Sequence, residues 1–123
     1  MTKKILIVED EQPFHDLYNA IFEETDYELT LAYDGDEALM KLEEIKPDLI
    51  ILDILMDMVT GDTFFLHLKG MPDFENIPVI IISAFSQKEY KNLKKIDPDL
   101  VYIEKPNLTK ENLLDEVDKK LRV

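Results

Sequence analysis

Apolar positions in this chain fall into two kinds of run that alternate along its length. Ile5-Leu6-Ile7-Val8, Leu49-Ile50-Ile51-Leu52, Val79-Ile80-Ile81-Ile82 and Leu100-Val101-Tyr102-Ile103 are short, continuous and rich in branched side chains. Runs of that kind predict strands buried on both faces. Glu28-Leu29-Thr30-Leu31-Ala32 alternates instead, which predicts a half-exposed edge strand. Between these segments the period becomes helical. Phe14, Leu17, Tyr18, Ile21 and Phe22 define one apolar face behind Pro13, a residue suited to a first helical turn. Asp34 with Glu37 reads as a capping box opening a helix that carries Ala38, Leu39, Leu42 and Ile45 and stops at Lys46-Pro47. Phe64, Phe65 and Leu68 predict a short helix ending near Gly70 and Pro72. A weakly patterned helix follows from about Gln87 to Lys95, with Tyr90 and Leu93 as its buried residues. Thr109 caps a last helix with Leu113, Leu114, Val117 and Leu121 inside.

Five strands alternating with five helices imply an α/β domain, a doubly wound parallel sheet with helices on both faces and right-handed crossovers. Residues 1–123 read as one domain without repeat or linker. In a parallel sheet every strand ends on the same rim, so the residues that close the strands become neighbours. Here they are Glu9, Asp10, Asp53, Ser83 and Lys105.

Composition narrows what such a rim can do. Hydrophobic residues make up 46% of the chain, enough for a packed core. There are no cysteines, which excludes disulfides, thiolate chemistry and Cys-type zinc sites. No apolar run approaches a membrane span, and the N-terminus lacks a signal-peptide pattern, so a cytoplasmic protein is expected. The net charge of −13, from 27 acidic against 14 basic residues, speaks against direct nucleic acid binding. It favours a cation or a basic partner surface.

Carboxylates held close together repel, and a bound cation relieves that repulsion. Hard oxygen ligands with room for water suit Mg²⁺, which also takes phosphate oxygens. An aspartate can act as a phosphoryl acceptor, forming an acyl phosphate. Mg²⁺ on the acids and Lys105 on the opposite side would bracket the phosphoryl oxygens, with the Ser83 hydroxyl donating to a third.

At this point the chain resembles the response regulator receiver domain of two-component signalling. The likeness rests on Val8-Glu9-Asp10-Glu11, Leu52-Asp53-Ile54-Leu55-Met56 with Gly61 downstream, Ser83-Ala84 and Lys105-Pro106, in family order over essentially the whole chain. It implies a flavodoxin-like sheet in the order 2-1-3-4-5. It also implies that Asp53 is the phosphorylated residue, Asp10 the direct Mg²⁺ ligand, Glu9 its water-mediated neighbour and the Leu55 carbonyl a backbone ligand. Ser83 resembles the switch hydroxyl, Lys105 the phosphoryl-binding lysine and Tyr102 the aromatic that changes rotamer. The implied partners are a sensor histidine kinase or phosphotransfer protein upstream, and an effector protein or an output domain downstream. A homodimer through helix 4, strand 5 and helix 5 is a further family option. On this reading the protein is a signalling switch rather than an enzyme acting on a diffusible substrate.

Two features depart from the family pattern: Asp57 stands where the family usually has proline, and Asp97-Pro98-Asp99 replaces a Gly-Ala pair. Apolar Leu55 and Phe85 are expected to flank the path of a hydrolytic water and to slow self-dephosphorylation. Rival readings have specific weaknesses. A flavodoxin-like cofactor binder would want a Gly-, Ser- or Thr-rich loop after the first strand, where this chain has Glu9-Asp10-Glu11. An aspartate-nucleophile phosphatase would want a second acid where Leu55 stands. A degenerate receiver acting as a phosphorylation-independent docking module is the alternative, with Asp57 its main support. Blander roles are an ordinary core aromatic for Tyr102, a turn cap for Ser83 and a surface amine for Lys105. His15 and His67 lie far from the rim in sequence and read as surface or packing residues, as Met56 and Met58 read as loop packing.

Overall fold

A computed structural model describes residues 2–53, 61–84 and 88–122. Five parallel strands form one sheet in the order β2-β1-β3-β4-β5. They are β1 (Lys4–Val8), β2 (Glu28–Ala32), β3 (Leu49–Leu52), β4 (Val79–Ser83) and β5 (Val101–Glu104). The helices between and after them are α1 (Gln12–Phe22), α2 (Gly35–Ile45), α3 (Gly61–Lys69), α4 (Lys88–Ile96) and α5 (Lys110–Leu121). This is the doubly wound architecture the alternating runs predict. No helix among the described residues is long and apolar enough to cross a membrane.

The unbroken apolar runs have a direct cause. Successive strand side chains point to opposite faces, and both faces here are covered. Leu6 and Val8 of β1, Ile50 and Leu52 of β3, and Val79 and Ile81 of β4 face a layer built on Ala38, Leu42, Phe64, Phe65, Leu68 and Leu93 of α2, α3 and α4. Ile5 and Ile7, Leu49 and Ile51, and Ile80 and Ile82 face the other layer, with Tyr18, Ile21 and Phe22 of α1 and Leu113 and Val117 of α5. β2 is the half-exposed edge its alternation predicts. β5 begins one residue later than its apolar run, because the Leu100 N–H turns back to the Asp97 carbonyl at 3.1 Å.

Caps set where the helices start. The Asp34 side chain accepts from the Glu37 N–H at 2.8 Å, but Glu37 reaches back to the Tyr33 N–H rather than to Asp34, so the expected box closes one residue further out. α5 has a full reciprocal box between Thr109 and Asn112. α2 ends on Lys46 in the left-handed conformation, φ 48° and ψ 70°, before Pro47. The Asp97-Pro98-Asp99 loop is held by the Asp97 carboxylate, which accepts from the Asp99 N–H at 3.1 Å.

β1 is where the chain reverses direction across the sheet, and that reversal opens a crevice at the strand ends. The ladder continues one residue past β1 and β3: the Glu9 N–H donates to the Ala32 carbonyl, and the Asp53 N–H to the Val8 carbonyl, each at 3.0 Å. Glu9 and Asp53 are thereby fixed side by side at its floor.

Candidate functional site

Carboxylate oxygens of Glu9, Asp10, Glu11 and Asp53 lie within 4.8 Å of one another. Glu9 and Asp53 are buried, 0% and 3% exposed, Asp10 is intermediate and Glu11 exposed. Into this group comes Lys105, carried from the end of β5 by a single 3-10 turn (Lys105–Asn107). Its Nζ lies 2.9 Å from Glu9 Oε1, 3.0 Å from Asp53 Oδ2 and 3.4 Å from Glu11 Oε1, with the lysine side chain only 7% exposed. The face of Phe14, from α1, lies 4.1 Å from the same ammonium. An aromatic face attracts a cation, so the ring adds to the carboxylates that hold this one.

The electrostatics follow from crowding. Burial, and then the nearby Asp53 charge, push the Glu9 carboxyl up to about 7, although the Lys105 ammonium pulls the other way. Burial would lower the Lys105 ammonium, but its ionic contacts with Glu9 and Asp53 outweigh it and hold the ammonium well above the usual lysine range. One lysine therefore does not neutralise the pocket. Four acids crowded this closely fit a divalent cation bound through oxygen. Glu9, Asp10, Glu11 and Asp53 are the described residues that could hold one.

Ser83 closes β4 and is 2% exposed. The strand register pairs Leu52 with Ile81 and Ser83 with Glu104, so Ser83 stands on the same rim as Asp53. Tyr102 is the diagonal neighbour of Ser83 on the adjacent strand, and burial, then the Glu104 charge, raise its phenol above its ordinary value. Tyr102 is half-buried and packs on the α2–α4 layer. The strand-end residues Glu9, Asp10, Asp53 and Lys105 are thus brought together, with the Ser83–Tyr102 pair beside them. The Leu55 carbonyl, Asp57 and Phe85 fall outside the described residues, as do Met56, Met58 and the Tyr90 side chain.

Three residues of the site were not singled out from sequence. Glu11 was visible as the third acid of Glu9-Asp10-Glu11, while Phe14 was hidden in the helical pattern of α1. His15 is the packing residue of the two alternatives expected for it, 0% exposed and stacked on Tyr33, but its Nε2 also lies 2.5 Å from the Glu9 carbonyl oxygen, so in space it adjoins the rim. One helical turn of α1 folds back over the β1–α1 turn and cancels the distance along the chain. His67 is exposed on α3, in keeping with a surface residue.

Fold and site together define a doubly wound α/β domain with an acid-and-lysine pocket at the carboxyl ends of its strands. The response regulator receiver domain model matches residues 5–118, and the chain belongs to that family of two-component signalling domains. It is 35% identical over 106 residues to the polar-differentiation response regulator DivK of Brucella ovis, covering 86% of each chain. It is also 35% identical over 89 residues to the phosphate regulon transcriptional regulatory protein PhoB of Escherichia coli, covering 72% of this chain and 39% of PhoB. The chain thus spans well under half of PhoB's length. Among solved structures, the chemotaxis protein CheY4 of Vibrio cholerae superposes with a TM-score of 0.88 at 26% identity, covering 98% of this chain and 100% of that one.

Proposed function

We propose that this receiver domain is a phosphoacceptor switch in which Asp53 takes a phosphoryl group from a phosphohistidine of a sensor kinase or phosphotransfer protein. The observation that carries the reading is the 3.0 Å contact of Lys105 Nζ with Asp53 Oδ2 inside a converging set of acids. An Asp53 carboxylate oxygen attacks phosphorus, a P–O bond forms as the P–N bond breaks, and the electron pair leaves on the donor imidazole, which then takes up a proton. Such transfers need chiefly charge neutralisation and in-line positioning. Lys105 supplies a fixed positive charge beside the acceptor, and Phe14 covers that charge. Mg²⁺ held by Glu9, Asp10 and Asp53 would neutralise phosphoryl oxygens that the acids alone repel.

The added charge biases a two-state equilibrium through the Ser83 hydroxyl and Tyr102, diagonal neighbours on adjacent strands, toward a new partner preference on the face of α4, β5 and α5. On this reading the domain is a cytoplasmic switch for an effector protein or an attached output domain, with no diffusible substrate of its own.

The test is intact mass after incubation with acetyl phosphate, with and without Mg²⁺, beside Asp53→Asn. One added phosphoryl group that requires both Mg²⁺ and Asp53 is expected. No adduct under conditions that trap short-lived acyl phosphates would replace this reading with a phosphorylation-independent docking module.

A further inference from the structure

We propose that His15 is a positioning residue that sets the Glu9–Asp10 peptide for cation binding, an inference that rests on the Mg²⁺-dependent reading above. Glu9 is held by three hydrogen bonds and one ion pair, its Oε1 meeting Lys105 by charge without hydrogen-bond geometry. Its N–H donates to the Ala32 carbonyl at 3.0 Å, its Oε2 accepts from the Glu11 N–H at 3.1 Å, and its Oε1 meets Lys105 at 2.9 Å. Its carbonyl is held by His15 Nε2. A carbonyl can only accept, so Nε2 is the donor in this contact. That carbonyl belongs to the same rigid peptide plane as the Asp10 nitrogen. Fixing its direction therefore fixes how the chain enters Asp10, the next acid of the pocket.

The ring itself is held from two sides. It is buried, and Tyr33 from the β2–α2 loop stacks on it with centroids 4.1 Å apart and planes 14° from parallel. The Tyr33 hydroxyl donates to Gln12 Oε1 on α1, and its N–H donates to Glu37 Oε1 on α2. His15 thus sits in a clamp that joins α1 to the start of α2. Its other nitrogen, Nδ1, is buried without a hydrogen-bond partner. A side chain serving only to fill this space could be apolar and avoid burying that atom. What imidazole adds here is the one donated hydrogen bond. Mutual repulsion among the acids acts to open the β1–α1 turn, and this bond opposes it.

The test compares His15→Phe, which keeps an aromatic ring against Tyr33 but has no donor, with His15→Gln, which restores an N–H at similar reach. Mg²⁺ affinity is measured by calorimetry and thermal stability in EDTA. Loss of an outer hydrogen bond that orients a ligand weakens metal binding roughly tenfold or more, so His15→Phe is expected to lose about that factor and His15→Gln to recover most of it. Phosphoryl incorporation from acetyl phosphate should return in His15→Phe when Mg²⁺ is raised in proportion. Wild-type affinity in His15→Phe overturns the proposal. So does an equal loss in both variants that tracks their melting temperatures, because that marks a purely structural role. Should His15→Phe fail to fold, the imidazole Nε2–H resonance of the wild type decides: it shifts with the calorimetric Mg²⁺ titration, or the proposal fails. A wild-type protein that binds no Mg²⁺ and takes no phosphoryl group would instead sink the underlying reading, whatever the variants do.

Discussion

Lys105 Nζ lies 4.1 Å from the centroid of the Phe14 ring, so an aromatic face from α1 covers a cation delivered by the end of β5. The pair joins two elements 91 residues apart in numbering (105 against 14), and it shields the ammonium from water beside Asp53. Phe14→Leu keeps apolar volume but removes the ring face. We expect a loss of about 1 kcal/mol beyond that of a Phe→Leu change elsewhere on the same core face, read from urea unfolding. The excess should vanish in a Lys105→Met background, where there is no cation to cover.

Lys105→Met leaves Glu9 and Asp53 buried without their ammonium. Breaking a buried ion pair by removing one partner costs on the order of 3 kcal/mol, because the remaining charge stays desolvated. That loss should appear in EDTA at pH 7.5. It should shrink at pH 5.5, where the Glu9 carboxyl takes a proton, and also in saturating Mg²⁺. Parallel melts under the three conditions check it.

Glu9 makes its own pH signature. Its folded-state pKa stands at about 7 against an ordinary value of 4.5. Between those values the folded protein holds a proton that the unfolded chain has released, so this group's contribution to stability falls as pH rises through the window. In EDTA, wild type should lose on the order of 2 kcal/mol more than Glu9→Gln between pH 4.5 and pH 7.5. Denaturant midpoints at half-unit pH steps read the difference. A flat difference curve would mean that Glu9 ionises as an ordinary carboxylate.

Tyr102 lies diagonally across from Ser83 on the neighbouring strand, close enough for the two hydroxyls to interact. A double-mutant cycle with Tyr102→Phe and Ser83→Ala should show a coupling of about 0.5–1.5 kcal/mol, the range for a partly buried neutral hydrogen bond. Additive single changes would remove this contact from any account of communication between the pocket and β5.

Lys46 ends α2 at φ 48°, a conformation that a side chain disfavours and glycine accepts. The residue is exposed, so nothing is lost from the core. Lys46→Gly should raise stability by about 0.5–1 kcal/mol, and Lys46→Ala should not. Thermal melts of the two variants separate backbone relief from the loss of the lysine charge.

The sequence announced the sheet because its strands are covered on both faces and so lost their polar alternation. Ile5–Val8 and Val79–Ile82 could scarcely be anything else. The strand order came from the family likeness, since runs of apolar residues do not say which neighbour they pair with. Glu9, Asp10, Asp53, Ser83 and Lys105 were legible for a geometric reason: parallel strands put their ends on one rim. His15 and Phe14 were not, because each carries the periodicity of an ordinary helix residue. The contacts that distinguish them depend on the β2–α2 loop and the end of β5 arriving from elsewhere in the chain. Likewise, Glu37 reached Tyr33 instead of Asp34, a choice set by local loop geometry that residue types alone do not encode.

The span between Lys105 and its carboxylates has a consequence for synthesis of the protein. Lys105 lies 52 residues from Asp53 and 94 from Glu11 in the chain, and the pocket contains it only when β5 has joined the sheet. A nascent or partly unravelled molecule can present the acids of β1 and β3 without the amine that completes them. The charges of the pocket are therefore assembled only once the fifth strand is in place, which ties the state of the site to the state of the sheet.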